Sequence, residues 1–320
     1  MLRMRIGLAS FLGTTISLLW APAALGITLS NIDVVGIQGA DKDLVRSTTR
    51  LVIGNQYEAR DPAFVSACRL VREQYPRASV SCNLIARANN EATYAIAFSA
   101  SGYTPRYAGT CVDGKGIPEA LNRDIEAFER ARQSVFDETG GRSGREFVGM
   151  DGSLDYQDPR LHEARNKLAS AVAEERAAVL DAAKRCNPDI KVKALELLQY
   201  AGAPKAAVEA AMPEATHPDP AVRNISMRLL GTFAGSLDSA STEHVLHIAC
   251  DAVQRGGFLD VNKALAVIDA LEAKAGMQAL KIDAACRAEI VRLSAESDSP
   301  QIGGFANSII RQRKDKGAPT

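Results

Sequence analysis

The stretch PKAAVEAAMPEATHPDPAVRNISMRLLGTFAG, Pro204 to Gly235, most constrains what this chain can fold into. It reads as two short antiparallel helices closed into one hairpin. The second has a clear start: Asp219 can accept backbone N–H bonds as N-cap, and Pro220, which needs no partner at N1, pre-sets the helical φ. From there Val222, Ile225 and Leu229 recur at i, i+3 and i+7 as an apolar stripe, and Gly235 ends the unit. One hairpin cannot bury its own stripe, so it requires similar neighbours on both sides.

The sequence supplies them. From Pro159 to Arg313 the helical pattern recurs about every 30 to 40 residues. Glu175–Arg185 with Asp189–Ala201 makes one hairpin, and Ser241–Arg255 with Phe258–Ala275 makes another. Leu280–Ser294 with Pro300–Arg313 closes the series. In register, Asp189-x-x-Val192-Lys193-x-Leu195 matches Asp219-x-x-Val222-Arg223-x-Ile225, and Ile302 with Phe305 takes the places of Val222 and Ile225. These units resemble HEAT repeats, and Pro213 within the first helix of its unit suits that family, whose first helices are often kinked by proline. The resemblance implies an α-solenoid over 159–313 whose second helices form a concave inner wall. Lys193 and Arg223 then become candidate binding residues on that wall, or ion pairs with Asp189 and Asp219 within the repeats.

Residues 27–100 have a different pattern. Ile32–Ile37 is a β-branched run, Asp41 caps a helix to about Val52, and Gly54-Asn55-Gln56-Tyr57 is a turn. Asp61-Pro62 opens a second helix with Phe64, Ala67, Cys68 and Val71 inward, ending at Tyr75-Pro76. Strands Ser79–Ala86 and Thr93–Ala100 follow, so the order is β-α-α-β-β. With Gly54-x-x-Tyr57 and the ending Glu73-Gln74-Tyr75-Pro76, this region resembles a polypeptide-transport-associated (POTRA) domain. It departs from that family in carrying Ala78 and Ser79 where a Gly precedes the first hairpin strand. The resemblance implies an exported module that binds polypeptides by adding a strand to a sheet edge. Between the two parts, 101–158 reads as a connector with one helix from Ile117 to Phe136 and glycine-rich loops at 140–144 and 149–152. The basic end, Arg311 to Lys316, reads as a frayed tail, with 314–320 disordered.

The first 26 residues read as a secretory signal: Arg3 and Arg5, then an apolar run from Ile6 to Trp20, then Ala24-Leu25-Gly26 as a small-x-small cleavage pattern. Cleavage after Gly26 would leave no transmembrane segment and a periplasmic or secreted protein. Six cysteines, an even number, agree with an oxidising compartment. Cys68 and Cys82 lie at similar reach from one turn and on core-facing positions, which favours their pairing. Cys250 with Cys286, on neighbouring repeats, is the second choice and leaves Cys111 with Cys186.

No motif marks a chemistry. His244-x-x-His247-x-x-Cys250 has metal-like spacing but no evident fourth ligand. Asp151 to Asp158 holds three carboxylates in a glycine-bearing loop without the ligand alternation of a calcium site. Gly141-Arg142-Ser143-Gly144 is not a nucleophile elbow, and His162 and His217 have no nucleophile nearby in sequence. Net charge is zero and aromatics are few, which excludes nucleic acid as a partner class. The expectation is a non-enzymatic scaffold for protein partners, with no cofactor and no metal. The alternative is an exported hydrolase built between the connector loop and the helical domain, recognisable by a pocket with Asp, Glu or His converging near Asp151 to Asp158.

Overall fold

The structure, a computed structural model, describes residues 26–36, 40–58, 60–86, 90–99, 107, 109–138, 146–149, 153–276, 279–297 and 299–318. The expected secretory signal, residues 1–26, lies outside this set except for Gly26, as do the glycines of 140–144 and Asp151-Gly152. Among the described residues no helix is long and apolar enough to cross a membrane.

A mixed four-stranded sheet comes first: β1 (Ile27–Val35), β2 (Gln56–Tyr57), β3 (Ser79–Ala86) and β4 (Glu91–Ser99), in the order β2-β1-β4-β3. β1 and β4 run parallel, and β3 and β4 form an antiparallel hairpin. β1 begins earlier than the β-branched run suggested, because Ile27 and Thr28 pair with Tyr57 and Gln56. That pairing also makes a short strand of residues read as a turn, so the order is β-α-β-α-β-β. Helices α1 (Ala40–Thr49) and α2 (Pro62–Gln74) cover one face. The latter is capped by the Asp61 carboxylate, which accepts from the Ala63 N–H, with Pro62 in the first turn. Phe64, Ala67 and Val71 meet Leu29, Ile32, Tyr94 and Ile96 there. The buried Tyr94 hydroxyl donates to the Phe64 carbonyl at 2.6 Å, satisfying a group that would otherwise be stranded. Gly36, at φ +90°, closes β1, since a Cβ there would lie 1.9 Å from the Phe98 carbonyl oxygen.

The opposite face of the sheet is also buried. Val35, Ile85, Ala95 and Ala97 belong to the same apolar cluster as the helices. Small alanines let α10 (Phe258–Lys274) come down on β4. Lys42 at the start of α1 donates to the Glu296 carbonyl at 2.6 Å, a second tie across that junction.

The helical part is a series of packed pairs of consecutive helices. α3 (Glu119–Glu138) packs on α4 (Pro159–Glu174), α5 (Arg176–Ala182) on α6 (Pro188–Leu198), and α7 (Pro204–Ala211) on α8 (Pro220–Thr232). α9 (Ser239–Arg255) packs on α10, and α11 (Ala284–Glu296) on α12 (Pro300–Asp315). The second members also touch in sequence: α6 on α8, α8 on α10, α10 on α12. Gly231 of α8 faces Val267 of α10, where a Cβ would make ordinary contact 3.6 Å from the Val267 Cα.

Three expectations are corrected. The helix within 101–158 is not a free connector: Leu121, Phe128 and Val135 bury into the helical core, and residues 111–115 are strapped to the α5–α6 turn. The cap of α6 is Asn187, whose side chain accepts from Asp189 and Ile190, with Pro188 at N1. Asp189 is therefore inside the helix, and the register with α8 shifts by two. The basic end is not frayed, because the fully buried Glu272 draws Arg313 (2.6 Å) and Lys316 (3.0 Å) onto α10.

Three disulfides join Cys68 to Cys82, Cys111 to Cys186 and Cys250 to Cys286, which fits an oxidising compartment. The Cys250–Cys286 bond ties α9 to α11 across a separation of 36 residues. Replacing both by Ala is expected to lower the unfolding free energy by about 3–4 kcal/mol through the freed chain entropy of the denatured state. A urea titration read by circular dichroism checks this as a lowered midpoint, and an unmoved midpoint would show the bond to be dispensable.

Candidate functional site

The wall formed by α6, α8, α10 and α12 was the expected binding surface, and the chain itself occupies much of it. Arg223 donates through Nε and Nη2 to Asp260 on α10, at 2.8 and 3.0 Å. Its Nη1 donates to the carbonyls of His217 and Pro218. Lys193 Nζ donates to Asn122 Oδ1 of α3 at 2.9 Å. Both candidate residues thus make contacts within the chain. With the corrected register, the counterpart of Arg223 is Lys191, a fully buried lysine that donates to Glu214 Oε1 at 2.6 Å. The Tyr107 hydroxyl donates to the same carboxylate, and its ring meets His217 edge-on at 4.8 Å. His217 Nδ1 accepts from the Asp219 N–H, and burial lowers its pKa, so the ring is held neutral.

A short hairpin, β5 (Glu146–Val148) with β6 (Leu154–Tyr156), adds a further layer. Glu146 Oε2 accepts from Arg228 of α8 at 3.0 Å. Burial pushes the Glu146 carboxyl up, and Arg228 opposes that. The Tyr156 and Tyr200 hydroxyls lie 3.1 Å apart, with Phe128 against both rings. Lys263 of α10 stands beside this group. Burial, and then the like charge of Arg228, lower its pKa to about 8, against the pull of Glu146.

The other assembly lies along α4. Asp158 caps this helix through the Arg160 N–H. Asp155 Oδ1 faces His162 Nδ1 at 2.8 Å, and His162 Nε2 faces Asn166 Nδ2 at 2.9 Å. Arg165 Nη1 donates to Asn166 Oδ1 at 2.7 Å. The last bond fixes the amide, since Oδ1 must face the guanidinium and Nδ2 must then donate. His162 therefore accepts at Nε2 and donates from Nδ1–H to Asp155. Asp155 and His162 meet near 151–158 as a pair, and neither lines the cleft beside α4. The Nε2 lone pair is already engaged by Asn166, and no described hydroxyl or thiol bonds to it, so the imidazole is an oriented base without a nucleophile. The His244, His247 and Cys250 spacing does not assemble a metal site through sulfur, because Cys250 is bonded to Cys286.

The last candidate is β3, at the end of the sheet order. Its carbonyl at Val80 accepts from Arg72 Nε at 3.0 Å, which turns Val80 away from β4. The Phe98 and Ala92 carbonyls face the β1 side, by their approach to Gly36 and to the Ser30 hydroxyl. Because Val80 is opposite Phe98 in the register, Val80, Cys82 and Leu84 all direct their backbone groups outward. Among the described residues no strand pairs with that edge. The strand SVSCNLIA carries no charge and no proline over eight residues.

No family model, no curated protein and no solved structure matches this chain. Sequence reasoning missed Lys191 and the Asp155–His162 pair. Glu214 and Lys191 have no local spacing that announces them. Asp155 and His162 sit seven residues apart across a strand, a cap and a helix turn, and the Asp-Pro cap was the available signal.

Lys263 yields a pH prediction. Its folded pKa of about 8 lies below the usual lysine value in the unfolded chain. Below about pH 8 both states are protonated and the burial penalty is constant. Above it the unfolded chain binds more protons, so stability contributed at this site rises with pH. Urea midpoints measured from pH 7 to 9.5 are expected to rise for the wild type relative to Lys263→Met. Parallel curves would show that the ammonium is not perturbed.

Proposed function

We infer that this chain is an exported, non-enzymatic protein that captures another polypeptide by strand addition at the outer edge of β3. One observation carries the reading: an eight-residue, uncharged, proline-free edge strand with outward backbone groups. Natural sheets blunt such edges with lysine, proline, bulges or covering elements, because an open ladder templates pairing with another chain. β3 carries none of the sequence devices. An extended peptide laid against it would gain main-chain hydrogen bonds at Cys82 and Leu84, the recognition mode of strand-adding modules.

Export is supported by the leader pattern of residues 1–26 and by three disulfides, and the finer reading is a periplasmic or secreted protein. The β-α-β-α-β-β unit is read as POTRA-like, and the stacked helix pairs as a HEAT-like solenoid. The solenoid's part is then to carry and stiffen the sheet through α10, since Lys193 and Arg223 serve internal contacts. A second reading, an exported hydrolase, rests on the Asp155–His162 pair and would require Asn166 to release Nε2.

The test separates the backbone from the side chain at one position. Leu84→Pro removes an outward N–H while leaving the ladder to β4 intact, and Leu84→Ala removes the same side chain but keeps the N–H. In affinity capture from cell-envelope extract read by mass spectrometry, the Ala variant is expected to hold its partners and the Pro variant to lose them. Circular dichroism verifies that both are folded. Equal capture by the two variants would count against strand addition.

A further inference from the structure

A shallow cleft opens between α4 and the turn from Tyr200 to Gly202, with Arg165, Asn166, Ser170, Arg176, Tyr200 and Gly202 in its lining. Its lining holds two arginines and no Asp or Glu. Six described arginines with little exposed side-chain surface contrast with the partly buried Arg176. Arg132, Arg185, Arg223, Arg228, Arg292 and Arg313 have side chains 5–16% exposed, and each meets a carboxylate. Among the described residues Arg176 meets none. Its Nη2 donates to the Ala201 carbonyl at 2.9 Å, and its Nε is buried with no acceptor.

We propose that this cleft binds a small oxyanion, a carboxylate or a phosphate group, with Arg176 as the principal contact. A guanidinium presents its donors as a planar fork, which a two-oxygen acceptor satisfies and a single carbonyl does not. The bond to Ala201 fixes the fork against the cleft wall, so little side-chain freedom remains to be lost when a ligand arrives. Arg165 orients the Asn166 amide at one side, and Ser170 stands exposed on α4 at the rim. Gly202, at φ +58°, turns the chain with no side chain to crowd the opening. The lining itself carries two guanidinium groups and no carboxylate, with Glu174 and Glu175 just before Arg176 in the chain. This site is independent of strand addition at β3.

Isothermal titration calorimetry of the purified chain at constant ionic strength tests it, with inorganic phosphate in one arm and acetate in the other. Saturable binding of at least one is expected, and the anion that binds names the chemical group. Arg176→Gln should weaken that binding about 10- to 100-fold, the loss of one charge-assisted contact. Since Arg176 also supports the Ala201 turn, Ser170→Glu serves as the second variant: it keeps that contact, lies on an exposed helix face and sets a like charge against the ligand. The same loss is expected. No saturable heat with either anion, or affinity unchanged in both variants, overturns the proposal.

Discussion

Burial of α10 on nearly every side is the constraint on which the rest of this structure depends. Phe258, Val261, Leu265, Val267, Ile268 and Leu271 are all removed from water, and the helix meets α8, α9, α12 and β4 at once. A helix apolar around most of its circumference cannot lie at a surface. Each neighbour is therefore held by a shared core, and the sheet is fixed to the helices by the same element that fixes the helices to one another. The polar groups carried inside follow from this. Glu272 has no access to solvent and is satisfied by Arg313 and Lys316, while Asp260 is satisfied by Arg223. Such pairs add little net stability over an apolar replacement, but breaking one leaves an uncompensated charge in the interior. Their effect is to define which helix sits beside which.

That arrangement redirects the functional reading from the inner wall to the margins. α3, the β5–β6 hairpin and the sheet lie against the second helices, so the basic residues there complete the fold. The proposed partner and anion would use what the core does not: the backbone edge of β3 and the arginine-lined cleft beside α4. Both are supported from behind by rigid elements, β3 by β4 and by the disulfide from Cys82 to α2, and Arg176 by the Ala201 carbonyl. Recognition elements placed on such supports lose less freedom on binding.

Much of the local structure was legible in the sequence because its causes are local. Asp61-Pro62 and Asp219-Pro220 open helices where the capping chemistry says they should, and Val222, Ile225 and Leu229 are buried as their spacing implies. The pairing of Cys68 with Cys82 follows from their similar distance from one turn. Failures came where the deciding partner is far away in the chain. β2 is two residues whose strand character comes only from Ile27 and Thr28. α6 is the exception: its phase is set locally by Asn187-Pro188, a cap equivalent to Asp219-Pro220, and the charges of Asp189 and Lys193 mislead. α3 was placed in a connector because its core partners are on α4 and in Tyr156 and Tyr200. Glu146 with Arg228 and Lys191 with Glu214 are contacts between distant segments, and no periodicity encodes them.

The disulfides carry one more consequence. Numbered along the chain, each cysteine is joined to the next one: 68 to 82, 111 to 186, 250 to 286. No loop closed by one bond encloses or crosses a loop closed by another. An oxidase meeting the chain amino end first would therefore generate the native set simply by linking thiols in order of arrival, with no step at which a wrong bond must be opened by an isomerase.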